Sequence, residues 1–267
     1  MDMVYIFGGL LLLGCVIGFL AGLLGIGGGL LTVPFLTMVL SHLMPSSEHL
    51  VHMAIGTAAA TIVFTSFASL RAHYKRDAIF WPVWRAIVPG LLIGGMLGAQ
   101  IAGFMPMLPL AIVFAVFTTV SATQMLLGKS PKASRHLPGK TGLVAAGTFI
   151  GTVSGLIGGG GGFLSVPYFI WNNMPVRNAV ATSAAMGFPI ALASSLGFVM
   201  AGWSVAGRPE YSLGYVYLPA MVAIVLTSMI FAPLGVRAAH HWPVATLRRC
   251  FACLLYCLGA YMVWKVL

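Results

Sequence analysis

The chain has 267 residues, of which 60% are apolar and only 7% charged, with 14 Lys and Arg against 4 acids. A soluble domain carries about 25% charged residues to face water, so this composition excludes an ordinary soluble protein, a disordered chain and a coiled coil. With 33 glycines and a mean hydropathy of +1.00, it reads as a polytopic α-helical membrane protein. The basic residues are scattered through short connections instead of gathered on one face, which argues against a nucleic-acid partner.

In chain order, the stretches free of charged residues are 4–41, 49–70, 86–128, 141–176, 178–207, 211–236 and 250–264. One crossing needs about 20 apolar residues. The first stretch exceeds one crossing and carries the cluster Gly25-Ile26-Gly27-Gly28-Gly29 near its middle. No basic residue precedes Arg71, so no cleaved secretory leader is expected. Stretch 49–70 holds one helix. Stretch 86–128 holds two, broken between Gly103 and Pro109. Stretch 141–176 is again too long for one crossing and carries Gly158 to Gly162. Stretches 178–207, 211–236 and 250–264 complete the set. Trp81, Trp84, Trp171, Trp203, Trp242 and Trp264 fall at segment ends, as an interfacial belt requires.

The two long stretches are copies. GFLAGLLGIGGGLLTVPFL at 18–36 and GTVSGLIGGGGGFLSVPYF at 151–169 agree at 10 of 19 positions. Ala54-Ile55-Gly56-Thr57-Ala58 matches Ala179-Val180-Ala181-Thr182-Ser183. The chain therefore divides into a first repeat at 1–128, a polar linker at 129–140 and a second repeat at 141–267. If each glycine-rich stretch crosses once, the halves are parallel and the 14 basic residues divide 10 against 4. If each enters and returns as a hairpin, the halves are inverted and the division is 12 against 2, with only Arg208 and Lys265 outside. The positive-inside rule favours the second arrangement: two inverted repeats, each a glycine-rich broken hairpin plus three transmembrane helices, with the linker cytoplasmic and both termini outside.

The glycine clusters are the candidate site. Each glycine costs about 1 kcal/mol against alanine in a helix, and irregular backbone at membrane depth is tolerated only where it is buried or lines a wet cavity. Each cluster precedes an apolar segment with Pro34 or Pro167 near its start, so each delivers a helix N-terminus toward the protein centre. Two such ends make an anion site without a charged side chain; close helix packing alone would also use glycine. The candidate substrate-binding residues are Gly25, Gly27, Gly28, Gly29 and Thr32 of the first cluster, and Gly158, Gly160, Gly161, Gly162 and Ser165 of the second. Thr57, Thr182 and Ser183 join them as repeated hydroxyls able to donate to an oxyanion, although such hydroxyls also bond within and between helices. Asp2, Glu48, Asp77 and Glu210 all lie in loops or at an end, so a buried-carboxylate ion relay is not expected. The seven histidines sit at segment ends as interfacial residues, with His52 and His73 the two placed to gate. Cys250, Cys253 and Cys257 share a helix face and read as small packing residues, with a thiol chemistry as the other reading. No disulfide, metal site or cofactor is expected, and no catalytic set is present.

The motif Gly22-Leu23-Leu24-Gly25-Ile26-Gly27-Gly28-Gly29 with Val33-Pro34, its second copy, and the Ala-x-x-Thr-Ser element at Ala179–Ser183 resemble those of the TauE/SafE family of sulfite exporters, over nearly the whole chain. The first half departs from the Thr-Ser pattern with Thr57-Ala58. The resemblance implies an inner-membrane permease for a small anion of sulfur and carbon, sulfite or an organosulfonate, moved by alternating access and without catalysis. An anion channel and, beyond it, a membrane thiol enzyme are the alternatives.

Overall fold

The structure is a computed structural model, and it describes residues 3–24, 29–43, 48–75, 77–127, 134–239 and 244–266. Among the described residues ten helices follow one another: α1 Met3–Leu24, α2 Gly29–Leu43, α3 Leu50–Tyr74, α4 Trp81–Phe104, α5 Met107–Leu127, α6 Lys140–Ile157, α7 Gly162–Trp171, α8 Val176–Ala201, α9 Leu218–Ala239 and α10 Val244–Val266. Before α9 a short antiparallel hairpin pairs β1 Ser212–Leu213 with β2 Val216–Tyr217. The all-α expectation holds apart from this hairpin.

Local chemistry sets the boundaries. The break expected between Gly103 and Pro109 falls between the end of α4 and the start of α5. Pro82 in the first turn of α4 and Pro175 just before α8 sit where a missing N–H costs nothing. Gly158 ends α6 at φ 63 and Gly161 precedes α7 at φ 74, left-handed conformations that glycine alone adopts freely.

Helices α3, α4, α5, α6 and α8 are long and apolar enough to cross a membrane. By contrast, α2 has 15 residues and α7 has 10. At about 1.5 Å per residue neither reaches the roughly 30 Å of a hydrocarbon core.

The core is built around α3 and α8, which run antiparallel. A Cβ on Gly56 of α3 would lie 3.1 Å from Phe198 Cβ, and one on Gly187 of α8 would lie 3.3 Å from Ser66 Cβ. Phe67 meets Phe188 with ring centroids 5.5 Å apart. Around this pair, α4 packs along α6 and α1 along α9. Both contacts are made by glycine. Gly90, Gly94 and Gly98 of α4 press on the backbone of Val144, Thr148 and Thr152 in α6, where any Cβ would overlap a carbonyl. Gly147, Gly151 and Gly155 of α6 return the contact on Ile87, Leu91 and Gly95. In the other pair, Gly14 and Gly18 of α1 meet Thr227 and Ser228 of α9. Lipid supplies no hydrophobic drive between helices, so close backbone approach of this kind is what holds them.

The chain folds back on itself at α6–α7. The N–H groups of Ser134 and Arg135, just before α6, both donate to the carbonyl of Trp171 at the end of α7, at 3.2 Å. The Trp171 indole donates to Ser134 Oγ at 2.7 Å, and the Arg135 guanidinium lies 4.2 Å over the indole ring. At the same end, Asn178 of α8 donates to the carbonyl of Ala78 between α3 and α4 at 3.0 Å. The opposite end is closed by Tyr215, whose ring stacks on His52 at 5.2 Å and whose hydroxyl lies 3.3 Å from His49 Nδ1. Burial pushes the Tyr215 phenol up, against a smaller downward pull from Arg208, so it stays neutral.

Candidate functional site

The described end of the first glycine segment, Gly29, packs on the second segment. Gly29, the first residue of α2, is buried so closely that a Cβ there would lie 2.9 Å from the Gly158 carbonyl and 3.4 Å from Gly159 Cα. Gly158 in turn fits against Ile55 of α3, and Gly160 faces Ile62 of α3 and, through its carbonyl, Gly187 of α8. Gly161 touches Ile190 of α8 and Ser154 and Ile150 of α6. None of these neighbours is charged. Gly25, Gly27 and Gly28 lie outside the described residues.

The second segment exposes a helix N-terminus. The Gly161 carbonyl accepts the N–H of Leu164 and of Ser165, at 3.1 and 2.9 Å, so α7 closes its first turn there. The N–H groups of Gly160, Gly161, Gly162 and Phe163 have no acceptor among the described residues. Such orphan donors, with the partial positive charge of the helix end, are what an anion requires. Gly160 and Gly162 are half-buried. A Cβ on Gly162 would meet no atom of the described residues within 4 Å, so none of them crowds this side of the turn.

The hydroxyls divide. Ser165 Oγ donates to its own i−4 carbonyl, Gly161, at 2.9 Å, and so shapes the turn. Thr32 is buried in the first turn of α2. Thr57 and Thr182 are fully buried, and their oxygens accept backbone N–H groups: Tyr217 to Thr57 at 2.9 Å and Phe80 to Thr182 at 3.0 Å. Each accepted N–H belongs to the residue just before α9 or α4. Among the described residues neither threonine hydrogen-bonds to the glycine turns. Ser183, by contrast, is 1% exposed and its Oγ has no partner among the described residues. Two further buried hydroxyls without partners, Ser154 and Ser194, were not singled out by sequence. For Ser154 the available signal was its place three residues after Gly151 and one before Gly155, inside the repeated motif.

Other candidates fall away from this centre. Cys250, Cys253 and Cys257 are all exposed, on the outer side of α10. Among the described residues no group of three or more His, Cys, Asp or Glu is placed to hold a metal ion.

Five membrane-length helices, with the first residue of α2 packed on the glycine turn that precedes α7 and free backbone donors at that turn, give a polytopic membrane protein with the broken-helix build found in transporters. The sequence places it more closely. The sulfite exporter TauE/SafE family profile matches residues 10–262, and the chain belongs to that family. A probable membrane transporter protein of Haemophilus influenzae is 34% identical over 96% of this chain and 97% of its own length. Similar proteins, also named probable membrane transporters, come from Xylella fastidiosa, at 28% identity over 94% of this chain and 93% of theirs, and from Methanocaldococcus jannaschii, at 26% over 95% and 94%. No solved structure matches the chain.

Proposed function

We propose that this transporter carries a small oxyanion, sulfite or an organosulfonate, and that the anion binds where the two glycine segments meet. The observation that carries this reading is the turn from Gly160 to Phe163: four backbone donors without acceptors at the start of α7, beside Gly29 and with no charged side chain among the neighbours. Donors fixed in the backbone hold an anion without the desolvation cost of a buried cation. The family description names sulfite, which supports the choice among anions.

The transport cycle in this proposal is alternating access between inverted halves, 1–128 and 141–267, with both termini outside the inner membrane and the linker inside. Support comes from the antiparallel run of α3 and α8, which carry matching sequence, and from the return of α7 to the start of α6 at Trp171 and Ser134. That return puts Arg177 at the same end as Arg135, as the 12 against 2 division of basic residues requires. In a cell with a negative interior, export of an anion is downhill by about 2.3 kcal/mol per charge at 100 mV, so the cycle runs outward without a buried carboxylate.

Reconstitution into vesicles tests the proposal. Sulfite uptake should saturate, accelerate with an interior-positive potential and show counterflow against unlabelled sulfite. Voltage-driven flux without saturation or counterflow identifies an anion channel instead. Uptake of cations, with none of sulfite, overturns the proposal.

A further inference from the structure

The two halves are not equivalent around their glycine segments, and the difference is a matter of hydroxyls. Ser154 of α6 is 1% exposed, its Oγ has no hydrogen-bond partner among the described residues, and it lies 3.2 Å from the position a Gly161 Cβ would take. Ser183 is equally buried and equally without a partner. It shares a stripe of α8, at i, i+4 and i+7, with Gly187 and Ile190, the residues of that helix that touch Gly160 and Gly161. A serine in a membrane helix ordinarily spends its proton on its own i−3 or i−4 carbonyl, as Ser66, Ser165 and Ser228 do here. A buried hydroxyl left unpaired costs free energy that replacement by alanine would avoid. The first half makes that replacement: Ala21 stands where the second has Ser154, and Ala58 where it has Ser183.

Resting on the functional reading above, we infer that Ser154 and Ser183 complete an oxyanion site on the second half alone, adding two hydroxyl donors to the free N–H groups at the start of α7, while Gly29 and the first half serve as the packing surface against which it closes. The site then offers donors to each oxygen of a pyramidal or tetrahedral oxyanion, and the ligand takes up the two hydroxyls that have no partner among the described residues.

The test uses the full chain purified in detergent, titrated with sodium sulfite and with sodium methanesulfonate, with melting temperature read in parallel. Ser154→Ala and Ser183→Ala should each leave the ligand-free melting temperature unchanged or raised, and each should weaken binding by about tenfold to a hundredfold, the range for a hydrogen bond to a charged group. Ser194→Ala is the control: it too is buried and without a partner, but it packs between Gly95 and Gly155, and it should bind as the parent does. Parent-like affinity in both Ser154→Ala and Ser183→Ala, with the parent binding well, overturns this inference and leaves the functional reading standing. A lower melting temperature in the ligand-free variants also overturns it, since the hydroxyls would then be structural. A parent protein that binds neither sulfite nor methanesulfonate removes the functional reading, and this inference with it.

Discussion

Thr57 and Tyr217, 160 residues apart, are joined by a 2.9 Å hydrogen bond from the Tyr217 N–H to the Thr57 hydroxyl oxygen. Thr182 does the same for Phe80 at 3.0 Å. The relation is crossed: each threonine sits in the helix after a glycine segment, and each accepts the N–H that leads into a helix of the other half, the one packed on the helix before that same glycine segment. Phe80-Trp81-Pro82 and Tyr217-Leu218-Pro219 repeat the pattern of aromatic residue and proline at those helix starts. A hydroxyl there satisfies an orphan donor of a helix N-terminus, as a cap does, except that the cap comes from the other half of the chain.

Thr57→Val keeps the shape of the side chain and removes the acceptor. The Tyr217 N–H is buried with its partner, so the variant should lose about 1–3 kcal/mol, the cost of an unsatisfied buried donor. Thr182→Val should lose less, because its hydrogen bond from the Phe80 N–H is only part-buried. Thr57→Ser should restore most of the loss. Melting temperatures of the three variants in one detergent check the order. Equal stability of Thr57→Val and the parent would remove the capping role.

Much of this architecture is legible in the sequence, because a bilayer leaves few options. Charge-free stretches of about 20 residues must be helices, since lipid satisfies no backbone group, and the break near Gly103 shows as a Gly and Pro cluster. The contact of Gly29 with Gly158 and Gly159 has its signal in the sequence, since Gly25–Gly29 and Gly158–Gly162 repeat inside stretches too long for one crossing. The partners of the threonines are not. Which N–H a buried hydroxyl meets depends on a contact 160 or 102 residues away, and nothing local encodes it. The interlock of Gly90, Gly94 and Gly98 with α6 was present as small residues every fourth position, yet such spacing alone does not say which helix will face it. Ser154 was hidden for a different reason: a single serine in an apolar helix is usually satisfied by its own carbonyls, and only the packed structure shows its hydroxyl without a partner among the described residues.

The proposed sidedness is tested by accessibility. In a variant without Cys15, Cys250, Cys253 and Cys257, single cysteines at Ser130, Val176 and Ser204 should sort into two classes with a membrane-impermeant thiol reagent. Val176 is exposed at the start of α8, next to the end where Trp171 meets Ser134, and Ser204 is exposed beyond the far end of α8. Ser130→Cys and Val176→Cys should label only from the cytoplasmic face, and Ser204→Cys only from outside. Labelling of Val176→Cys from the side opposite Ser130→Cys would support parallel halves.

The glycine turn itself is tested best at Gly162, because its neighbours separate packing from binding. Gly161 is a poor probe: at φ 74, with Ile190 Cδ1 only 2.6 Å from where a Cβ would stand, alanine there strains the backbone and disturbs the fold whatever the site does. At Gly162 the added methyl meets no atom of the described residues within 4 Å, and the residue begins α7, where alanine favours helix by about 1 kcal/mol over glycine. Gly162→Ala should therefore hold or raise the melting temperature of the empty protein. Its methyl would nevertheless stand in the open side of the turn, against the N–H groups proposed to meet the oxyanion, so sulfite affinity should fall at least tenfold. Gly9→Ala, exposed on α1 with nothing within 4 Å of its Cβ, should change neither quantity. Calorimetric titration with sulfite beside thermal unfolding makes the comparison. If Gly162→Ala binds sulfite like the parent, the start of α7 is not where the anion sits, and the open face of this turn has only a packing role.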